Sequence, residues 1–229
     1  MTHLLRLNTP KRWPIRRKGI KYIARPVPGP HKLKECITLN IVLKDLLKYA
    51  KTTREVKKIL NEGKVLIDNV ARKEHRFPIG IMDIIEIPTT NEHYVVMLDE
   101  NHKFILKKIK KDEASKKVCK IIGKKHLKGN RLQLNLYDGK NALVDNDTFK
   151  IGDSVVYDFS NKKIQDHLKF EKGAFVYLAD GKHVGKKGVV EDIKTSPNKK
   201  TRIVLKHKDK RFETLKDYSY VIKNERDND

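Results

Sequence analysis

The glycine- and lysine-rich stretch ADGKHVGKKGVVEDI, residues 179–193, has the composition of a phosphate-binding loop. Its glycines are Gly181, Gly185 and Gly188, and its lysines in the loop are Lys182, Lys186 and Lys187. A nucleotide-binding loop needs Gly-x-x-x-x-Gly-Lys-Ser/Thr between a strand and a helix, so that the hydroxyl group reaches magnesium. Here the first two glycines are one residue too close, and a lysine replaces the hydroxyl residue. The apolar residues on both sides instead predict a strand, a tight loop and a strand, so a nucleotide-binding loop is not expected here.

Groups for catalysis or metal binding are not readable elsewhere in the chain. The two cysteines, Cys36 and Cys119, are far apart, and the nine histidines are scattered, so the sequence predicts buried thiols in a reducing compartment and no zinc site. The acids Asp138, Asp153 and Asp158 stand beside turn or strand signals and are interpreted as turn residues, not as bases. We therefore predict no enzyme, no catalytic residue, no metal, no cofactor and no small-molecule substrate.

The net charge of the chain is +23 and its isoelectric point is about 9.9, which favours a polyanionic partner. Nucleic acid is the expected polyanion, because the sequence lacks an amphipathic anchor, a lipidation motif and a run of about 18 apolar residues for a membrane. The first residues also lack the pattern of a secretory signal, so we expect an intracellular protein. With 229 residues and 38% hydrophobic content, small and separate cores are expected.

The first 37 residues form a basic, proline-rich arm with Glu35 as its single acid. Such a segment is predicted not to order itself and to fold against the phosphates of a partner, with the ring of Trp13 stacking on RNA. A disordered solubilising tail is the alternative. The predicted RNA contacts in the arm are Lys11, Arg12, Trp13, Arg16, Arg17, Lys18, Arg25, His31 and Lys32.

Two helices are predicted after the arm. Apolar residues from Leu39 to Ala50 recur at helical spacing, and Thr52 and Glu55 form the pattern of a capping box that begins a second helix. Gly63 is the expected end of the second helix, because glycine suits a left-handed cap. One face of this helix is basic, which indicates either a solvated surface or a phosphate contact. The basic residues of that face are Arg54, Lys57 and Lys58.

Strands dominate the rest of the chain. The segment VLI, a turn at Asp68-Asn69 and the returning IMDIIEI predict a hairpin beside the two helices. Residues 89–171 alternate as an antiparallel β-rich region, and strand candidates follow the loop at 179–193. Three cations lie near the first hairpin in the sequence, Lys64, Arg72 and Lys73.

Three segments resemble the S4e family of archaeal and eukaryotic small-subunit ribosomal proteins. RPVPGPHKLKECITL resembles the lead-in of that family, LKDLLKYAKTTREVKKILNEGKVLIDNVARKEHRFPIGIMDIIEI its S4-type RNA-binding domain, and YLADGKHVGKKGVVEDI its KOW motif. The resemblance covers nearly the whole chain in the order of the family. It implies an α+β protein with a helix-helix-hairpin S4-type domain at 38–88, a central β-rich domain at 89–171 and an SH3-like KOW barrel with a tail at 172–229.

The function implied by the resemblance is that of a structural, non-catalytic protein of the small ribosomal subunit in the cytoplasm. Its partners would be small-subunit rRNA and neighbouring ribosomal proteins. The RNA surface of the S4-type domain would be formed by its two helices and hairpin, through Arg54, Lys57, Lys58, Lys64, Arg72 and Lys73. The resemblance also implies that Gly185 and Gly188 occupy the glycine positions of the KOW loop, where glycine permits a positive φ and close backbone approach. The loop lysines Lys182, Lys186 and Lys187 would then contact RNA phosphates, and a loop with only a structural role is the alternative. Two alternatives stay open: an RNA-modifying enzyme that uses an S4-type domain to hold RNA, and a non-ribosomal RNA-binding factor with the same modules.

Overall fold

The structure is a computed structural model that describes residues 3–129, 131–145, 147–195, 200–207 and 210–223. The chain ends predicted to belong to the arm and the tail, residues 1–2 and 224–229, lie outside these ranges. The described residues are mostly β-structure with a few short helices, consistent with an α+β protein. They form two compact units, which are Met1–Leu98 with His102–Lys117, and Asp99–Asn101 with Val118–Asp229. No helix in the described ranges has the length and apolarity needed to cross a membrane.

The N-terminal arm is ordered and packed in the first unit, contrary to the expectation that it needs a partner to fold. Strands β1 and β2 pair as an antiparallel ribbon, in which Leu5 faces Tyr22. The side chain of Trp13 is fully buried, and its indole N–H donates to the carbonyl oxygen of Cys36 at 2.6 Å. Burial of one large aromatic side chain with a satisfied polar atom anchors the arm in the first unit. The ribbon consists of β1 His3–Leu5 and β2 Tyr22–Ala24.

The first predicted helix is shorter than its apolar stripe. An α-helical turn, α1, continues into a π-helical turn at Val42–Leu46, and Lys48 then adopts a φ of 59° that stops the helix. Ala50 therefore lies beyond the end of the helix, although its side chain is buried as the apolar pattern predicted. The second helix, α2, confirms both predicted ends: the Thr52 hydroxyl accepts from the N–H of Glu55, and Gly63 has a φ of +69°. The bounds are α1 Leu39–Ile41 and α2 Thr53–Asn61.

The remaining strands of the first unit form a small ladder and a five-stranded sheet. The predicted turn at Asp68-Asn69 is confirmed, because both residues have a positive φ and join β4 to β5. The larger sheet has the order β5-β4-β7-β8-β9. Because β7 pairs with β8, this sheet contains strands from both sides of residue 88, the predicted end of the S4-type domain. Its strands and their neighbours are β3 Ile37–Thr38, β4 Leu66–Ile67, β5 Val70–Ala71, β6 Pro78–Ile79, β7 Ile84–Ile87, β8 Glu92–Leu98 and β9 Phe104–Lys108. A short helix follows, α3 Lys111–Ala114.

The second unit contains two antiparallel sheets, each with its own apolar core. One has the order β12-β11-β10-β13-β14 and packs residues such as Ile121, Leu134 and Val155. The other has the order β18-β17-β16-β15-β19 and packs residues such as Val176 and Leu205. Two cores in one unit agree with the expectation of small, separate cores. The strands are β10 Lys116–His126, β11 Leu132–Leu136, β12 Asn141–Val144, β13 Ser154–Asp158, β14 Lys163–Leu168, β15 Phe175–Leu178, β16 Lys187–Lys194, β17 Arg202–His207, β18 Lys210–Leu215 and β19 Ser219–Val221.

Candidate nucleic-acid interface

Helix α2 separates an apolar face from a basic face. Val56 and Leu60 are fully buried, whereas the basic residues at positions 54, 57 and 58 are exposed. The spacing of i, i+3 and i+4 places these three cations on one side of the helix. Because the apolar face fixes the helix against the core, the cationic face is held in one orientation toward solvent. The three exposed residues are Arg54, Lys57 and Lys58.

The cations after α2 have different surroundings. Lys64 is exposed and forms an ion pair with Glu62 at 2.5 Å, and Lys73 is exposed. Arg72 is half-buried, with its guanidinium 4.5 Å from the centroid of the Phe77 ring. A guanidinium that is stacked on a protein ring is positioned by the fold and has fewer orientations open to it. Lys64 and Lys73 are therefore the more accessible cations of this region.

A groove in the first unit brings the arm ribbon together with α2, and we call it the ribbon groove. Its cations are Arg6, Lys44, Lys57 and Arg76, and its exposed apolar residues are Ile20 and Tyr22. The lining contains no acidic residue, and its volume is about 510 Å³. Of the predicted contacts, it contains only Lys57.

His75 also lines the ribbon groove, and its pKa reflects the positive charge there. Burial, and then the charges of Lys57 and Arg76 against the opposing charge of Glu74, lower the pKa of His75 below its ordinary value of 6.5. The imidazole is therefore mainly neutral at pH 7. A positive field that disfavours another cation favours an anion in the same place.

Several predicted contacts of the arm have a structural role instead. Trp13 is fully buried, so the prediction that its ring stacks on RNA is wrong. His31 is also buried, and its Nε2 lies 2.9 Å from Oδ2 of Asp83, so the prediction that it contacts RNA is wrong as well. Arg17 is half-buried and donates to three arm carbonyls, those of Leu7, Thr9 and Pro10. The basic composition of the arm suggested that these residues contact RNA. In the packed arm they contact other groups of the protein instead.

The other arm cations are accessible to different degrees. Lys11, Arg16, Lys18 and Lys32 are exposed, and Arg12 and Arg25 are half-buried. A second groove, formed by the prolines at 26–30, is lined by Arg25, Lys32 and Arg76 among others. Arg76 therefore lines both grooves of the first unit.

The glycine-rich loop of the second unit joins β15 to β16, as the sequence predicted. Gly181 and Gly185 have φ values of +83° and +81°, whereas Gly188 lies inside β16. A Cβ at Gly185 would lie 2.7 Å from backbone atoms of Asp99 and Glu100, and one at Gly188 would lie 2.8 Å from the carbonyl oxygen of Lys206. The close approach that requires glycine at these two positions is therefore to protein backbone.

The loop lysines surround His183. Lys182 is exposed, and Lys186 and Lys187 are half-buried. Burial and then the charges of Lys186 and Lys182 lower the pKa of His183 below 6.5. The loop therefore carries a local positive field, which suits an anionic partner.

Sequence reasoning missed a buried ionic cluster in the first unit. The ammonium group of Lys117 lies 2.5 Å from Oδ1 of Asp83 and 2.7 Å from Oδ2 of Asp68, and all three side chains are nearly inaccessible. Burial would raise the pKa of Asp83, but the charges and hydrogen bonds of Lys117 and His31 outweigh it and lower the pKa well below 3.8. Oδ2 of Asp83 also accepts a hydrogen bond from the backbone N–H of Gly80, so the cluster is held by the surrounding fold, which it stabilises, and it does not resemble a catalytic site.

The thiols and turn acids also have structural surroundings. Both Cys36 and Cys119 are buried, as predicted, and burial raises the pKa of Cys36 to about 12. Asp153 accepts hydrogen bonds from the backbone N–H groups of Lys150 and Phe170. Across the described ranges, no group of three or more histidines, cysteines and acids is arranged to hold a metal ion.

Comparison with known proteins identifies relatives over nearly the whole chain. The model of "Ribosomal family S4e" matches residues 90–164, and that of the "RS4NT (NUC023) domain" matches residues 2–34. The small ribosomal subunit protein eS4 of Methanococcus maripaludis is 38% identical over 229 residues, covering 96% of this chain and 93% of the relative. The eS4 protein of Methanocella arvoryzae is 41% identical over 224 residues, with the same coverage.

A solved structure has the same fold. The crystal structure of the 30S ribosomal protein S4e from Thermoplasma acidophilum matches with a TM-score of 0.72 and 30% sequence identity. The match covers 84% of this chain and 97% of that chain. Similarity of sequence and of fold therefore extends through both compact units.

Proposed function

Because this chain belongs to the S4e family of small-subunit ribosomal proteins, we propose that it binds small-subunit rRNA through its exposed lysines and arginines. The family consists of structural ribosomal proteins and is not an enzyme family, so an RNA-modifying activity is set aside. The protein functions in translation, in the cytoplasm, as part of the small ribosomal subunit. Neighbouring ribosomal proteins are its expected protein partners.

The observation that carries the proposal is the basic face of α2. Its cations are exposed while the opposite face of the same helix is fully buried, so they are not needed for the core. Oriented cations on a rigid helix can contact successive phosphates with little loss of backbone entropy. The exposed cations of the arm and of the glycine-rich loop would add phosphate contacts.

The family also suggests how the chain is divided. We propose residues 1–37 as the basic arm, 38–88 as the S4-type RNA-binding domain, 89–171 as the central β-rich domain, and 172–229 as the KOW barrel with its tail. The helix pair followed by the β4-β5 hairpin supports the second assignment, and the strand-loop-strand around the glycines supports the fourth.

The first experiment is sedimentation of the tagged full chain with small ribosomal subunits through a gradient at moderate salt. Stoichiometric comigration is expected. Substoichiometric association, or protein that stays at the top of the gradient, would favour the alternative of a non-ribosomal RNA-binding factor.

A binding experiment tests the role of α2 directly. The double variant Lys57→Ala/Lys58→Ala removes two proposed phosphate contacts, and it should reduce the slope of log affinity against log salt by about 1–2, because each lost contact removes about 0.7–0.9. The matched control, Lys57→Arg/Lys58→Arg, keeps both charges and should keep the slope. The melting temperature of the alanine variant should not fall, since both side chains lie outside the core; an unchanged slope would remove α2 from the RNA interface.

A further inference from the structure

The arm ribbon carries an unusual exposed apolar surface. Leu5 and Tyr22 are directly paired on β1 and β2 and are 41% and 49% exposed, and Leu7 and Ile20 beyond them are 70% and 69% exposed. Four exposed large apolar side chains on and just beyond one short ribbon are typical of a surface that a partner covers. Two of them, Ile20 and Tyr22, line the ribbon groove together with its cations.

We propose that the ribbon groove binds an unpaired nucleotide of the rRNA, with its base against Tyr22 and its phosphates beside Lys44, Lys57 and Arg76. This inference rests on the proposed function and specifies the state of the RNA at that site. A regular duplex presents phosphates but keeps its base faces stacked, so it would satisfy the cations and leave the apolar wall uncovered. An unpaired nucleotide supplies both an anionic group and a free aromatic face.

A second observation also points to an unpaired base. Asn40 lines the same groove and is 4% exposed, and its side-chain oxygen has no hydrogen-bond partner within the part of the chain that the structure describes. A buried acceptor without a donor is unfavourable. The Watson–Crick edge of an unpaired base carries an N–H donor that could satisfy it, whereas in a duplex that donor is already used.

The charge of the groove favours RNA over a protein segment. Four cations line it without an acidic residue, and the pKa of His75 is lowered partly by two of them. Entry of a phosphate would offset this positive field. An acidic peptide would also offset it, but it presents a flat aromatic face to Tyr22 only where it contains an aromatic residue, whereas every nucleotide carries both a phosphate and a base.

The test compares Tyr22 variants of the full chain by fluorescence anisotropy with a labelled single-stranded RNA hexamer and with a hairpin of matched length. The wild type should prefer the single strand. Tyr22→Leu should weaken single-strand binding about tenfold, within the range of a lost base-aromatic stack, without changing the salt slope. Tyr22→Phe keeps the ring and should recover most of the affinity. The matched control is Tyr49→Leu, because Tyr49 is an exposed tyrosine of the same unit that does not line the groove.

A second measurement uses assembled subunits. Ultraviolet irradiation of small subunits that contain the wild-type chain should crosslink Tyr22 to an rRNA base, and mass spectrometry identifies the linked peptide. Subunits that contain the chain but give no crosslink at Tyr22, together with equal hexamer affinities of wild type and Tyr22→Leu, would overturn the inference while leaving the proposed function intact. Failure of every variant and of the wild type to join subunits would instead contradict the proposed function.

Discussion

Replacement of Lys117 by methionine should destabilise the first unit strongly. Lys117 is 2% exposed and lies within 2.7 Å of carboxylate oxygens on both Asp68 and Asp83. Methionine fills a similar volume but leaves two buried carboxylates without this counter-charge. Removing one member of a buried ionic cluster costs about 3–5 kcal/mol, so we expect the free energy of unfolding at pH 7 to fall by that amount.

The destabilisation by Lys117→Met should depend on pH with a defined sign. In the wild type the pKa of Asp83 is lowered, so its contribution to stability is complete above the unfolded pKa of about 4 and is lost as the pH falls below it. In the variant, the charge of Lys117 no longer opposes burial, although His31 and the backbone N–H of Gly80 still do, so the pKa of Asp83 should lie above its value in the wild type. Protonation then relieves the buried charge, so the difference between wild type and variant should be largest at pH 7 and should shrink toward pH 4.

Urea unfolding followed by tryptophan fluorescence is the assay. Trp13 is the single tryptophan of the chain and lies in the first unit, so its emission reports on the unit that contains the cluster. The control is Lys116→Met, which removes an exposed lysine one residue away and should change the free energy of unfolding by less than about 0.5 kcal/mol. A loss below about 1 kcal/mol for Lys117→Met, or an equal loss at pH 4 and pH 7, would refute the assignment of a paired buried cluster.

The other predictions concern three more sites. Trp13→Ala should lower the free energy of unfolding by about 3–5 kcal/mol in chemical denaturation monitored by circular dichroism, and resistance of wild-type emission to iodide quenching should confirm burial. Gly185→Ala should lower the melting temperature more than Gly173→Ala, because both glycines have a positive φ but only a Cβ at Gly185 would meet backbone; equal losses would contradict the close approach. Burial lowers the pKa of Lys120 to about 8, so between pH 8 and 10.5 the unfolded chain binds more protons than the folded chain. In urea titrations across that window, the stability of the wild type should therefore rise relative to that of Lys120→Met. Parallel plots of stability against pH for the two proteins would contradict the shift.

Local patterns determined the elements that depend on neighbouring residues. The capping box at Thr52, the glycine that ends α2 and the turn at Asp68-Asn69 are all confirmed, because caps and tight turns are set by hydrogen bonds and φ values within a few residues. The same holds for the strands around the glycine-rich loop, which begins after Leu178. The large positive charge also indicated the class of partner, since net charge does not depend on the fold.

Tertiary structure decided what lies inside. Trp13 and His31 were predicted to contact RNA because they lie in a basic segment. In the structure the indole of Trp13 is buried in the core, and the imidazole of His31 forms a hydrogen bond or an ion pair with Asp83. Lys117 pairs with Asp68, 49 positions away, and with Asp83, 34 positions away, and no local pattern indicates either pairing. The ribbon groove has the same origin: its cations and aromatic residue come from segments that become neighbours only when the chain folds. Burial and long-range charge pairing depend on distances in space, which spacing along the chain does not specify.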